Sequence, residues 1–300
     1  MRPPRRLWRA VPISVPIAVA IVVGFLVGGA WPSGRADAAP AGPDFYLDVG
    51  GSASVGFQPT QASPLGQRTD SGYANDLVNE ERAIWPTLQL REIGCPGATT
   101  VTMLEGGGHC AYPGGTQLAT AVEFLRDHPT TVLVTVDLGF NNMRSCFVHG
   151  QVDQPCVDQS IALLDQQLPQ ILSALRAAGS PGLRIVGIGH YDPFLGSYLR
   201  SPRGRVLVPE SLDAISRLDQ ALRSIYAAAG IPMADVAGSF NTASTDPTMM
   251  SGVGMVPRDV ARICTLTWMC SARPYGPNQH PNDDGYRVIS QAIRAALAGG

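Results

Sequence analysis

Lysine is absent: all 22 basic residues of the 300-residue chain are Arg, set against 24 acids. Five of those Arg precede residue 39, so the remainder carries 17 Arg against 23 acids and keeps no basic stripe. That excludes a surface built for phosphate backbones, and nucleic acid is not an expected partner. No C-x-x-C pair occurs and no His spacing completes a ligand set, so no metal site is expected. No repeat of solenoid period is visible. Charged residues are few, 15% against 45% hydrophobic, which is the composition of a globular chain able to bury a large core.

What is present begins with an export signal. Arg2, Arg5, Arg6 and Arg9 form a positive leader, Val11 to Ala30 is uncharged and mostly apolar, and Ala36-Asp37-Ala38 is an A-x-A cleavage site. Two readings stay open for residues 1–38, a cleaved signal peptide or an uncleaved membrane anchor, since 20 residues can cross a bilayer core of roughly 30 Å. Either puts the rest of the protein outside the cytoplasm, secreted or held on the outer face of the membrane. Residues 39–43 read as a linker and 44–300 as one domain.

Six Cys in an exported chain imply disulfides. Connectivity is not deducible from sequence, but the six fall into three local pairs, Cys95 with Cys110, Cys146 with Cys156 and Cys264 with Cys270. Each such loop would contribute about 2–3 kcal/mol in the loop-entropy view.

Strand-like and helix-like stretches alternate after the linker. Strands are expected at Phe45–Val49, Leu88–Ile93, Thr131–Leu138, Leu183–Ile188 and Met233–Val236. Helical spacing runs over Tyr73–Trp85, Gln117–Asp127, Val157–Ala178, Leu212–Ala229 and from Asp284 to about Ala298. This alternation implies a parallel sheet covered on both faces, whose functional loops follow the strands at one edge. Ser52 stands on such an edge, where the first strand breaks into Gly50-Gly51-Ser52. His280 stands near the other end of the chain, in Pro277-Asn278-Gln279-His280-Pro281-Asn282. A serine hydroxyl is a poor nucleophile until a base takes its proton, and His suits that task. No G-x-S-x-G elbow is present, which excludes the lipases built on that motif.

Four stretches, in order, resemble the blocks of the GDSL/SGNH hydrolases. Gly50-Gly51-Ser52 with Gly56 resembles Gly-Asp-Ser with its later Gly, the Asp being replaced by Gly51. Ile93-Gly94-Cys95 resembles the second block. Gly139-Phe140-Asn141-Asn142 resembles Gly-x-Asn-Asp, the last Asp changed to Asn142. His280 matches Asp-x-x-His, with Pro277 in the Asp place. The resemblance spans roughly residues 44–300 and implies a flavodoxin-like, three-layer α/β/α sandwich of about five strands in the order 2-1-3-4-5. It implies Ser52 as nucleophile, His280 as base, and an oxyanion hole made by the N–H groups of Ser52 and Gly94 and the side chain of Asn141. Gly94 would let substrate approach its N–H.

Proline carries no side-chain acceptor, so the Pro277 backbone carbonyl is the expected partner of His280 Nδ1, with the Asn278 amide oxygen as a second candidate. Without a carboxylate, the His280 pKa should lie near the ordinary value of about 6.5. Asn142 and Ser54 are expected to hold their loops, His190 to line the pocket, and His109, His128 and His149 to be structural or surface residues. Met249-Met250 with the loop Ser251–Met255 reads as a flexible segment that could wall an acyl chain. The expected protein is a monomeric, cofactor-free exported serine esterase or lipase. The alternatives are a deacetylase or acyl transferase on envelope glycans, or a non-catalytic envelope-binding module.

Overall fold

The computed structural model describes residues 42–148 and 150–299. The export segment, most of the linker and His149 lie outside the described residues.

Strand β1 (Phe45–Gly50) is followed by helix α1 (Tyr73–Glu81), strand β2 (Gln89–Glu92), and helices α2 (Thr100–Glu105) and α3 (Gln117–Asp127). Next come β3 (Thr131–Asp137), the single turn α4 (Phe140–Met143), a small hairpin of β4 (Phe147–Val148) and β5 (Gln151–Val152), and α5 (Gln154–Ala178). Then β6 (Arg184–Ile188), α6 (Pro202–Ala228), β7 (Met233–Ala234) and the short α7 (Val236–Ser239) follow. A second hairpin, β8 (Pro247–Met250) with β9 (Gly254–Pro257), leads into α8 (Arg258–Leu266), and α9 (Asp283–Ala298) ends the chain. Five strands form one sheet in the order β2-β1-β3-β6-β7, all neighbours parallel. Counting only these five, the order is the expected 2-1-3-4-5.

The period-2 alternation of the strands sorts their side chains onto two faces. Leu47, Val49, Val134, Val136 and Ile185 pack with Leu125 of α3, Leu164, Leu168 and Leu172 of α5, and Leu218 and Leu222 of α6. Tyr46, Leu133, Val186 and Ile188 pack on the opposite face with Leu77 of α1, Ile263 of α8, and Tyr286, Ile289 and Ile293 of α9. Each such fully buried side chain contributes roughly 1.5–3 kcal/mol.

One helix and one loop depart from the sequence expectation. α6 begins ten residues before Leu212, at Pro202, where the Ser201 side chain accepts from the Gly204 N–H at 3.0 Å and Pro202 takes the first turn. Pro209 then sits inside the helix; it removes one backbone bond, which the burial of the helix's long apolar face outweighs. The Met-rich segment is the β8–β9 hairpin rather than an irregular loop.

The inward face of β1 carries a buried carboxyl. Asp48 is fully buried and its Oδ1 accepts from Tyr73 Oη at 3.0 Å and Thr135 Oγ1 at 2.6 Å. Burial pushes its pKa well up, against the pull of the Thr135 bond. The folded state therefore holds a proton that the unfolded chain releases. Stability should fall as pH rises through the unfolded carboxyl range, about 3.9, and continue falling toward the folded pKa. Asp48→Asn keeps the acceptor oxygen and needs no proton. Thermal melts from pH 4 to 8 should show the variant losing this slope and melting above the wild type at pH 8. A variant that melts lower at pH 8 would contradict the assignment.

Candidate active site

Ser52 and His280, 228 residues apart in sequence, meet at the carboxyl edge of the sheet with His280 Nε2 2.9 Å from Ser52 Oγ. Ser52 opens a single 3-10 turn over Ala53–Val55 just past β1, and His280 lies in the loop entering α9. The His loop is tied down on several sides. Tyr191 Oη donates to the Gln279 carbonyl at 2.8 Å, and the Trp268 N–H donates to the His280 carbonyl at 3.1 Å. Trp268 belongs to the turn closed by the Cys264–Cys270 disulfide.

The acceptor for Nδ1 is the Asn278 side chain, with Oδ1 at 2.6 Å. The expectation that the Pro277 carbonyl orients the ring therefore gives way to Asn278. The reason is geometric: the Asn278 amide folds back over its own loop and reaches the ring. The same Oδ1 accepts from the His280 backbone N–H at 3.1 Å, and Asn278 Nδ2 donates to the Leu65 carbonyl at 3.1 Å. A backbone N–H can only donate, so the amide atom facing it must be the oxygen. Nδ1 faces that oxygen and must carry the proton. Nε2 is then left with its lone pair toward the Ser52 hydroxyl. The acids nearest in sequence are engaged elsewhere: Asp283 accepts from Gln58 Nε2 at 2.8 Å and Asp284 from Arg287 at 2.7 Å.

Burial pushes the His280 pKa down to about 4, and the nearby Arg144 charge adds to the effect. This overturns the expectation of an ordinary value, because desolvation of the imidazolium is not offset by any carboxylate.

Asn141 lines the cleft beside Ser52 and spends one amide N–H on the Ala98 carbonyl at 3.1 Å. Its second N–H is free to donate. Gly94 lies on the buried side of the Ser52 turn, and a Cβ there would stand 1.8 Å from Ser54 Oγ. Its lack of a side chain thus admits the Ser54 hydroxyl, which donates to the Gly51 carbonyl at 2.9 Å, rather than opening a path for substrate. Asn142 holds its loop by donating to Thr100 Oγ1 at 2.7 Å and accepting from the Thr100 N–H at 3.2 Å.

Two further residues, Asp137 and Arg144, enter the site that the sequence reading did not name, and His109, expected as a structural or surface residue, is exposed in the cleft lining. Asp137 ends β3, and its carboxyl lies near the N–H groups of Ser54, Gly51 and Ala53. Burial raises its pKa; the neighbouring His190 and these N–H groups pull the other way. A Cβ on Gly51 would stand 2.9 Å from Asn141 Nδ2 and 3.5 Å from Asp137 Oδ2. Gly51 therefore leaves room for both groups. Arg144 and His109 line the open cleft of about 480 Å³ together with Phe57, Phe194 and Met269. Their signal was position: each is one or two residues from a cysteine. The structure bonds Cys95 to Cys110, Cys146 to Cys156 and Cys264 to Cys270. His190 lines a smaller cavity of about 50 Å³ beside Ser52, with Phe140 and Tyr191. Met249, Met250 and Met255 line neither space, so the Met-rich hairpin walls no acyl site here.

A hydroxyl hydrogen-bonded to a neutral imidazole, beside spare N–H donors, is an arrangement that can attack a carbonyl. The model of the GDSL-like lipase/acylhydrolase family matches residues 49–288. An extracellular lipase from Streptomyces rimosus is similar in structure, with a TM-score of 0.55 at 20% identity over 84% of this chain and 99% of that one. A phospholipase A1 from Streptomyces albidoflavus gives 0.54 at 20% identity, over 85% and 99%. A catalytic mutant of an acetylxylan esterase from Geobacillus stearothermophilus gives 0.51 at 12% identity, over 86% and 95%. At these identities the likeness is one of fold. No curated protein sequence matches this chain significantly.

Reactivity of Ser52 should follow the His280 titration. Its rate of phosphonylation by an organophosphonate should hold level down to about pH 5 and fall as pH drops through about 4. Asn278→Asp places a carboxylate on Nδ1, which favours the imidazolium. The acid limb should then move up by roughly 1–3 units. A limb that stays in place in the folded variant would exclude Asn278 as the orienting group.

Proposed function

We propose, for a chain that belongs to the GDSL-like lipase/acylhydrolase family, that it is a serine esterase working through an acyl-enzyme on Ser52. The observation that carries this reading is the Ser52–His280 contact, with the imidazole tautomer fixed by Asn278. His280 Nε2 takes the Ser52 proton as Oγ attacks the ester carbonyl. The oxyanion that forms accepts from the Ser52 N–H and from Asn141 Nδ2, which both line the cleft; Gly94, buried behind Ser54, is left out of the hole the resemblance implied. On collapse, the proton on Nε2 passes to the departing alcohol. A water then repeats the cycle on the acyl-enzyme and returns the free acid and Ser52.

Asn278 supplies the orientation of a triad acid but none of its charge. In a serine protease, Asn in place of Asp costs about 10⁴-fold because the amide imposes the wrong tautomer. Here the His280 backbone N–H fixes the amide the right way round, so only the charge term is missing. The imidazolium formed during attack is correspondingly less stabilised, and turnover should be modest.

The small cavity beside Ser52 takes a group of acetyl size, whereas a long acyl chain would have to lie in the open cleft. That favours short acyl groups and keeps a glycan deacetylase as a second reading. Three disulfides fit an oxidising compartment, in line with an exported enzyme. Among the described residues no helix is long and apolar enough to cross a membrane.

Hydrolysis of p-nitrophenyl esters from acetate to palmitate tests the reading. Activity should peak at short chains and fall on the order of 10⁴-fold in Ser52→Ala and His280→Ala. A folded wild type that cleaves none of these esters, and takes up no organophosphonate at Ser52, would instead support a binding module on a hydrolase scaffold.

A further inference from the structure

The open cleft beside Ser52 has no carboxylate in its lining, although the chain as a whole holds more acids than Arg. Arg144 stands in that lining, exposed. Arg217, Arg223, Arg258, Arg287 and Arg294 are each paired with a carboxylate. Among the described residues Arg144 has no such partner, nor a hydrogen bond from its guanidinium.

Its position is set by the same elements that build the site. Arg144 caps α4 with helical backbone angles, three residues after Asn141, so the two side chains leave one side of the turn. Two residues further, Cys146 is bonded to Cys156 and fixes the turn to the start of α5. The charge reaches the reacting centre, since it contributes to lowering the His280 pKa. The neighbouring walls, Phe57, Phe194 and Met269, are apolar and screen little. A cation held this way raises the local concentration of anions and gives a planar, two-pronged donor that fits a carboxylate or a phosphate.

Resting on the esterase reading above, we propose that Arg144 selects esters that carry an anionic group, a carboxylate or a phosphate, on the part of the substrate lying along this cleft. The negative group would pair with the guanidinium while the ester carbonyl sits at Ser52. The site then discriminates by charge as well as by acyl length.

Two matched substrate pairs test this at pH 8, where His280 is neutral in every variant. The first is the mono-p-nitrophenyl ester of glutaric acid against its methyl ester, which puts the charge on the acyl side. The second is butyryl glycerol phosphate against monobutyrin, which puts it on the alcohol side. In at least one pair the wild type should favour the charged member by about three- to tenfold in kcat/KM at low salt. The responding pair identifies the side. Arg144→Gln should abolish that ratio, Arg144→Glu invert it and Arg144→Lys retain part of it; 0.5 M NaCl should shrink the wild-type ratio. Charged and neutral members cleaved within twofold in both pairs, or a ratio unchanged in Arg144→Gln, would overturn the assignment while leaving the esterase standing. A wild type that cleaves none of the four would overturn the esterase reading and this inference with it.

Discussion

The site hangs on the close approach of β1 and β3 at their carboxyl ends. A Cβ on Gly50 would stand 2.1 Å from the Asp137 carbonyl oxygen, and Gly50 has a φ of +134°, so only glycine fits there. That contact lets the Gly51 N–H donate to the Asp137 carbonyl at 2.8 Å, one residue before Ser52. It also brings the Asp137 carboxyl over the N–H groups of the Ser52 turn. Asn141 follows four residues after Asp137, so one junction sets both the nucleophile's turn and the amide beside it. The absence of an acid at position 51 is then intelligible. A carboxylate already serves that turn from β3, and a side chain on Gly51 would displace the Asn141 amide.

The second constraint is electrical. His280 is packed against Ser52 and Phe57 with no carboxylate in contact, and its ring lies near the Arg144 charge. Such a base stays neutral far below ordinary imidazole values. It is always ready to accept a proton, but it holds that proton weakly. The trade is between readiness over a wide pH range and driving force in the attack. Asn278 fits that trade because an amide oxygen orients the ring without raising its basicity.

The parallel sheet was legible in the alternation of strands and helices; its order and the meeting of Ser52 with His280 were implied by the resemblance to the GDSL/SGNH hydrolases. The start of α6 was not: the sequence reading began that helix at Leu212, ten residues after its first turn at Pro202. The choice between the Pro277 carbonyl and the Asn278 amide was not legible. It turns on a loop path of a few ångströms that no periodicity encodes. Gly94 illustrates the same limit: its type was right, but the atom filling the space is Ser54 Oγ, and only packing shows it. The Met-rich stretch misled because methionines suit both a lipid wall and an exposed hairpin, and Met249 and Met255 are 70% and 60% exposed.

The claim at the centre is that His280 is a neutral base with its proton on Nδ1, held there by Asn278. Nitrogen-15 NMR of histidine-labelled protein, with His280→Gln to assign the resonance, reads both properties directly. The expected result is a ring protonated at Nδ1 from pH 5 to 8, with Nε2 unprotonated, titrating near pH 4. A ring protonated at Nε2 over that range, or one titrating at 6.5 or above, would contradict it.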